Sequence, residues 1–117
     1  MSKPTIPQSI LEGAAQAVLA ALPMPIQYSL NGRLERGLAL AAEGAVMPYT
    51  DRSQPWRKNL FQVRSANPYV PPFSYLVDLE ALTCECPDHA RGNHCKHILA
   101  AQITVRAKLE MLALRPF

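Results

Sequence analysis

Every cysteine and every histidine of the chain lies in one stretch, which begins at Cys84 and ends at His97. Thiolates and imidazoles are the ligands of structural zinc sites, where four of them form a tetrahedron around the metal. Cys84, Cys86, Cys95 and His97 supply one such set. The stretch therefore predicts one structural zinc ion, and the chain must fold so that these four side chains meet.

The spacing of the two ligand pairs also predicts the local structure around the metal. Residues two apart on an extended segment point the same way, so Cys84 and Cys86 can both reach one ion from a strand end, with Leu82 on the same face. Residues two apart on a helix diverge by roughly 200°. Cys95 is therefore expected at the entrance of a helix and His97 in its first turn. The intervening loop contains residues that favour turns, namely Pro87, Gly92 and Asn93.

Other uses of these residues fit the sequence less well. A disulfide framework would leave one of the three cysteines unpaired. A catalytic zinc would keep one coordination position open, and the zinc deaminase signature is absent. Three unrelated buried or redox-active cysteines remain an alternative. We expect neither His89 nor His94 to bind the metal, because His94 next to Cys95 would strain the coordination ring and His89 is typical of a solvated loop.

The order Cys-x-Cys, eight residues, Cys-x-His, within the segment SYLVDLEALTCECPDHARGNHCKHILAAQ, resembles the SWIM-type zinc finger. The resemblance extends from about Gln62 to Gln102. It implies a short β-hairpin that carries the first two cysteines, a helix that follows the Cys-x-His pair, and one structural zinc ion on the four residues named above. It also implies a module that binds DNA or other proteins, and it carries over no catalytic residue.

Length and composition describe a small domain with a thin core. The 117 residues suffice for one domain, 49% of them are hydrophobic, and only 7% are aromatic. Metal binding to an unformed site contributes folding free energy, on the order of 10 kcal/mol in small zinc peptides. We therefore expect removal of the metal to loosen at least the C-terminal half of the chain.

The net charge permits a nucleic-acid partner without requiring one. The formal charge is +3, and zinc binding with the loss of three thiol protons lowers it to about +2. No apolar run approaches the roughly 18–20 residues of a membrane span, and no targeting segment is apparent. These features predict a soluble protein in the reducing cytoplasm, with no membrane partner.

Two helices are predicted in the N-terminal part of the chain. The first runs from Gln8 to Leu22, because Thr5–Gln8 fits a capping box with a proline in the first turn. Its apolar residues recur at helical spacing: Ile10, Ala14, Val18 and Leu22. The second helix lies between Asn31, a good N-cap, and Gly44, which suits the left-handed C-terminal position. Its predicted inner face consists of Leu34, Leu38 and Ala41 or Ala42.

Apolar periodicity predicts three short antiparallel strands and a final helix. The strands are expected at Leu60–Ser65, Tyr75–Glu80 and Leu82–Cys84, with a tight turn near Glu80–Ala81. The helix is expected from Cys95 to Leu114, with a stripe that faces the sheet: Ile98, Ala101, Val105, Leu109 and Leu112. The predicted fold is α+β, with two N-terminal helices, a small three-stranded antiparallel sheet and a zinc-anchored C-terminal helix. Residues 1–45 form the helical segment and residues 46–117 the zinc module, packed as a single compact domain.

Basic residues interleaved with aromatic ones indicate a nucleic-acid partner. Between Tyr49 and Arg64 the chain is rich in cations and contains Trp56, a composition that tracks a phosphate backbone and stacks on bases. The alternative is that Trp56 is a core aromatic and the cations are ordinary surface residues. We expect contact with nucleic acid through five cations: Arg57, Lys58, Arg64, Arg91 and Lys96.

Two other functional classes are less well supported. The chain has no Ser/His/Asp-like set outside the zinc stretch and no glycine-rich phosphate loop, so we expect neither enzymatic activity nor a small-molecule substrate. The main alternative is a protein-interaction adaptor that docks through its N-terminal helices and is associated with a DNA-processing partner. An exposed apolar patch on those helices would favour the adaptor, whereas a continuous basic face near the zinc would favour nucleic acid.

Overall fold

A computed structural model describes residues 6–67 and 69–113, which form five helices and four strands. The helices are α1 (Gln8–Ala21), α2 (Met24–Ser29), α3 (Arg33–Ala42), α4 (Pro87–Ala90) and α5 (Lys96–Ala113). The strands are β1 (Val46–Pro48), β2 (Leu60–Arg64), β3 (Ser74–Asp78) and β4 (Thr83–Cys84). No helix within the described ranges is long and apolar enough to span a membrane.

The last helix, α5, lies between the sheet and the N-terminal helices. One side of α5 joins a core cluster with the sheet: Ile98, Ala100 and Ala101. The other side joins a second cluster with α1 and α3: Leu99, Ile103 and Ala107. The first half of α5 therefore packs against the sheet on one side and against α1 and α3 on the other, so this one helix connects the two layers. That helix begins between two of the predicted metal ligands.

A glycine allows α3 to approach α5 closely. A Cβ placed on Gly37 would lie 2.9 Å from the Cβ of Leu99 and 3.1 Å from the carbonyl oxygen of Lys96. Real Cβ atoms essentially never come within 3.0 Å of another heavy atom. The absence of a side chain at this position therefore sets the distance between α3 and the first turns of α5.

The four strands form an antiparallel sheet in the order β1-β2-β3-β4, so each strand pairs with its neighbour in sequence. Val63 pairs with Val46 on one side and with Tyr75 on the other. Val77 pairs with Cys84 at the start of the zinc stretch. Because paired residues share one face of a sheet, these side chains all lie on the face that packs against α5.

The α+β class and the antiparallel sheet are confirmed, but the sheet has four strands rather than three. The additional strand, β1, has only three residues, of which Val46 alone is buried. Such a strand is too short to show alternation in the sequence. The sequence pattern also misses α2 and α4, since neither of these short helices buries a side chain.

The ends of the N-terminal helices differ in detail from the predicted ones. The N-cap of α1 is Pro7, which makes no side-chain cap bond, and Thr5 of the predicted capping box lies outside the described residues. The N-cap of α3 is Gly32, with a φ of 82°, rather than Asn31. Gly44 has a φ of 71°, which confirms the left-handed position predicted at the end of this helix.

The predicted apolar stripes are correct only where another element covers the helix. In α1 the buried residues are Leu11, Ala14 and Ala15, whereas Ile10 and Val18 are only partly buried. In α5 the predicted stripe fails towards its end, where Leu109 and Leu112 are exposed. The buried residues of α5 stop at Ala107, beyond which no described element covers the helix on both sides.

Candidate metal centre

The four predicted ligands meet at the junction of three elements. Cys84 ends β4, Cys86 is the N-cap of α4, Cys95 immediately precedes α5, and His97 lies in the first turn of α5. All four are buried, and their possible ligand atoms lie within 4.8 Å of one another. The strand end and the helix entrance therefore bring the two pairs together as the spacing of the sequence predicts.

The geometry and the donor set fit one zinc ion. Zinc–sulfur bonds of roughly 2.3 Å in a tetrahedron separate the sulfur atoms by roughly 3.8 Å, which is within the observed 4.8 Å. Both ring nitrogens of His97 are buried and have no hydrogen-bond partner among the described residues. A buried polar group without a partner is costly, and a metal ion would satisfy one of these nitrogens. The cluster could therefore hold one zinc ion.

Backbone N–H groups are directed at all three sulfur atoms. The N–H of His89 donates to Cys86 Sγ at 3.4 Å. The backbone N–H groups of Cys86 and Ile98 likewise act to lower the pKa values of the Cys84 and Cys95 thiols. These donors stabilise the thiolate form, which is the form that binds metal. The backbone that follows each cysteine therefore favours the thiolate, which is the form that can bind a metal ion.

The three thiols lie close enough together for each to affect the pKa of another. A hydrogen bond from Cys84 lowers the pKa of Cys95, and that bond, together with burial, raises the pKa of Cys84. Burial raises the pKa of Cys86. Zinc binding must therefore displace the remaining thiol protons, so the affinity for zinc depends on pH.

The other two histidines lie outside the ligand cluster and have other partners. His89 Nδ1 lies 3.1 Å from the carbonyl oxygen of Asn93. His94 Nε2 lies 2.9 Å from Oε1 of Gln102 on α5. Leu82, which we expected on the ligand face, instead has a left-handed φ of 56° in the turn before β4 and is 43% exposed. A turn residue is outside the alternation of the strand, and this is why the prediction for Leu82 is wrong.

An ion pair ties the zinc loop to the N-terminal helices. Arg33, the first residue of α3, donates two hydrogen bonds to the Asp88 carboxylate, at 2.7 Å and 2.9 Å. Asn93 donates a third, at 2.9 Å. The bonds from Arg33 hold the pKa of Asp88 down at about 2. The sequence gives no signal for this contact, because its partners are 55 residues apart and each is typical of a solvated surface.

The five cations predicted to bind nucleic acid fall into two groups. Arg57 and Lys58 precede β2, whereas Arg64 is the last residue of β2 and is grouped with Arg91 and Lys96. Arg91 and Lys96 belong to the second group because they line a cleft with Ser65, which directly follows β2. The two groups are therefore at opposite ends of the sheet.

The group before β2 is balanced by carboxylates. The guanidinium of Arg57 lies 3.0 Å from Asp78 and 3.7 Å from Asp51. A third carboxylate, that of Glu80, accepts a hydrogen bond from Asn59 next to Lys58. Arg57 is therefore paired within the fold, whereas Lys58 forms no ion pair among the described residues.

Two neighbouring clefts share Lys96, and Arg91 lines one of them, whereas Arg64 lines neither. The first, of about 250 Å³, contains Ser65, Tyr75 and Arg91 together with the metal ligand His97. The second, of about 160 Å³, contains Arg36 of α3. Within residues 6–67 and 69–113, neither Arg91 nor Lys96 forms an ion pair. Arg36 is not among the five predicted cations, because a solvated helix face explains its place in the sequence equally well.

A buried Cys₃His cluster at the junction of a β-hairpin and a helix defines the class of this region as a zinc-binding module. More specifically, residues 75–105 match the family model of the SWIM zinc finger, and the four residues that could hold a metal ion all lie within this segment. The match begins at Tyr75, later than the Gln62 expected from the sequence, and it covers neither β1 and β2 nor the N-terminal helices. No curated protein and no solved structure shows significant similarity to the chain.

Proposed function

We propose that this chain is a zinc-stabilised, non-enzymatic module that binds nucleic acid through the cations beside the metal centre. We call this the zinc-side basic surface, and it consists of Arg36, Arg64, Arg91 and Lys96. The observation that carries the proposal is the position of Lys96, which lies between the ligands Cys95 and His97 and lines both clefts. A zinc ion on its two neighbours would fix the backbone that presents this cation.

The charge around these clefts supports an anionic partner. Asp88 lies beside the first cleft, but Arg33 already pairs with it at 2.7 Å. Glu43 borders the second cleft, and its carboxylate is the one there that forms no ion pair among the described residues; its backbone carbonyl oxygen accepts a 3.4 Å hydrogen bond from Nη2 of Arg64. The cations therefore outnumber the free carboxylates here, which is the electrostatic footprint expected of a surface that contacts phosphates.

The metal in this proposal has a structural role. Three thiolates and one imidazole complete a tetrahedron and leave no position for a reactive water. Removal of the ion would free β4, α4 and the start of α5 from one another, because each contributes at least one ligand to the site or flanks one. We infer a reducing compartment on the same grounds, since the thiolates must stay unoxidised to bind zinc.

The proposal is tested by titrating the zinc-loaded chain with labelled duplex DNA, single-stranded DNA and RNA at two salt concentrations. The double variant Arg91→Ala/Lys96→Ala should weaken binding about tenfold at low salt and reduce the salt slope by about two, because each of these cations is expected to neutralise one phosphate. The matched control is Arg57→Ala/Lys58→Ala, which removes two charges at the other end of the sheet and should have a smaller effect. Zinc content is measured in every variant, because Lys96 adjoins two ligands.

Two results would contradict the proposal. If no nucleic acid binds at low salt, the module does not have this function. If Arg57→Ala/Lys58→Ala weakens binding more than Arg91→Ala/Lys96→Ala does, the contact surface lies at the Arg57 end of the sheet. The aromatic residues near Arg57 in the sequence are compatible with that location.

A groove between α1 and α3 supports a second candidate function, that of a protein adaptor associated with a DNA-processing partner. The groove has a volume of about 500 Å³, and Ala15, Leu34 and Leu38 contribute apolar surface to it. Glu12 and Glu35 also line it. A groove of this kind fits an amphipathic helix with basic residues beside its apolar face. A partner retained by the native chain but lost in a Glu12→Arg/Glu35→Arg variant would support the adaptor, and equal retention would contradict it.

A further inference from the structure

The loop between β2 and β3 exposes apolar and aromatic side chains to solvent. Tyr69 is 89% exposed, and Val70 and Phe73 are each more than half exposed. The loop is nevertheless anchored to the sheet, because the N–H of Ser65 donates to the carbonyl oxygen of Phe73 at 2.8 Å. Large apolar groups that cluster outside the core of a small domain indicate a binding surface.

This loop directly adjoins the zinc-side basic surface. Ser65, at its start, lines the cleft that contains Arg91 and Lys96. Ala66, the next residue, lines the cleft that contains Arg36 and Lys96. At the other end of the loop, Ser74 pairs with Arg64 across the sheet. The loop that carries the exposed aromatic rings therefore begins at the clefts that Arg91 and Lys96 line, and it ends beside Arg64.

The arrangement of α5 is unfavourable for reading a DNA duplex. The residues that follow His97 in α5 are fully buried from Ile98 to Ala101. A helix that reads bases must enter the major groove, and this helix has the sheet on one side and α3 on the other. The bases of a duplex are also stacked on each other, so their faces are not available to protein side chains.

We propose that the partner is single-stranded nucleic acid, with bases stacked on Tyr69 and Phe73 and phosphates bound by Arg64, Arg91 and Lys96. The inference rests on the proposed nucleic-acid function and specifies its substrate class. Aromatic platforms beside a basic groove are the means by which proteins bind single strands without sequence preference. Loss of the aromatic rings should then weaken the binding of single strands only. Loss of the cations should weaken the binding of both single strands and duplexes.

The chain provides an internal control at the opposite end of the sheet. Trp56 is 70% exposed and lies next to Arg57, whose charge is paired with Asp78 and Asp51. An exposed aromatic ring whose adjacent arginine is paired with carboxylates should contribute less to binding than one beside cations without an ion pair. The variant Trp56→Ala therefore removes a ring system at least as large as that of Tyr69 or Phe73, but from a surface that is not proposed to bind nucleic acid.

The test measures the binding of the full zinc-loaded chain to labelled oligothymidylate and to a duplex of the same length. The native chain should prefer the single strand. Tyr69→Ala/Phe73→Ala should weaken single-strand binding by about tenfold or more and leave duplex binding and zinc content unchanged, since each stacked base contributes by contact with a ring. Trp56→Ala should bind as the native chain does, and Tyr69→Phe, which keeps the ring, should restore most of the affinity lost in a Tyr69→Ala variant.

The outcomes separate this inference from the proposal on which it rests. If Arg91→Ala/Lys96→Ala weakens binding but Tyr69→Ala/Phe73→Ala does not, the module binds nucleic acid and the single-strand inference is wrong. A preference of the native chain for the duplex would overturn it equally. If the native chain binds neither nucleic acid at low salt, both proposals fail, and the aromatic loop becomes a candidate surface for a protein.

Discussion

Alanine substitutions at two helical glycines should have opposite effects on stability. On α3, the Cβ of a Gly37→Ala variant would lie 2.9 Å from Leu99 Cβ, 3.1 Å from the Lys96 oxygen and 3.2 Å from the Ala100 nitrogen. Two of these three atoms belong to the backbone, which cannot rotate away. On α1, a Cβ at Gly13 would meet nothing within 4 Å. The same chemical change therefore probes a close contact in one helix and an open surface in the other.

The magnitudes follow from two opposing terms. Alanine is favoured over glycine inside a helix by about 0.5–1 kcal/mol, and both variants gain this term. Overpacking at a close helix contact costs about 1–3 kcal/mol, and only Gly37→Ala has this cost. We therefore expect Gly13→Ala to stabilise the chain by up to about 1 kcal/mol and Gly37→Ala to destabilise it by about 1 kcal/mol.

Thermal and urea denaturation of the zinc-loaded chains, followed by circular dichroism, measures the difference. A separation of about 2 kcal/mol corresponds to roughly 8 °C in Tm for a chain of this size. Because Lys96 lies between two metal ligands, Gly37→Ala should also reduce the affinity for zinc, and Gly13→Ala should not. Equal stabilisation by both substitutions would refute the close approach of α3 to α5.

Three further outcomes are expected. Chelation of zinc should lower the Tm and loosen β4, α4 and the start of α5, as followed by hydrogen exchange; unchanged exchange there would show that the metal does not organise this region. Asp88→Asn should destabilise the chain by about 1–2 kcal/mol in denaturation experiments, because Arg33 keeps its charge but loses a two-bond partner; a change below about 0.3 kcal/mol would show that the pair is dispensable. Arg106→Ala should change stability by less than about 0.5 kcal/mol, since its bond to Glu110 is on the exposed face of α5.

The metal ligands and the fold class could be predicted because both depend on local spacing. The separation of Cys84 from Cys86, and of Cys95 from His97, limits which backbone conformations can bring four ligands together. Alternation at Phe61 and Val63 likewise identifies the face of β2 that packs on the core, although it does not identify Leu60 of the other face, which is also buried. The ligand set and the strand can both be recognised because the residues that define them are close together in the sequence.

The features that the sequence does not predict depend on contacts between distant segments. Arg33 and Arg36 are both cations near the start of α3, yet one pairs with Asp88 and the other lines a cleft with Lys96. Leu109 continues the helical period of α5 but is exposed, because no described element packs over it. Periodicity shows which face of a helix is apolar, but it does not show where the neighbouring elements end.

The most direct test of this account is the zinc content of the purified chain and of two matched histidine variants. We predict one zinc ion per chain for the native protein and for His89→Ala, whose ring contacts the Asn93 carbonyl rather than the cluster. His97→Ala should lose the metal and lower the Tm at the same time. Full zinc content and unchanged stability in His97→Ala, or loss of zinc in His89→Ala, would contradict the assignment of Cys84, Cys86, Cys95 and His97 as the site on which the fold depends.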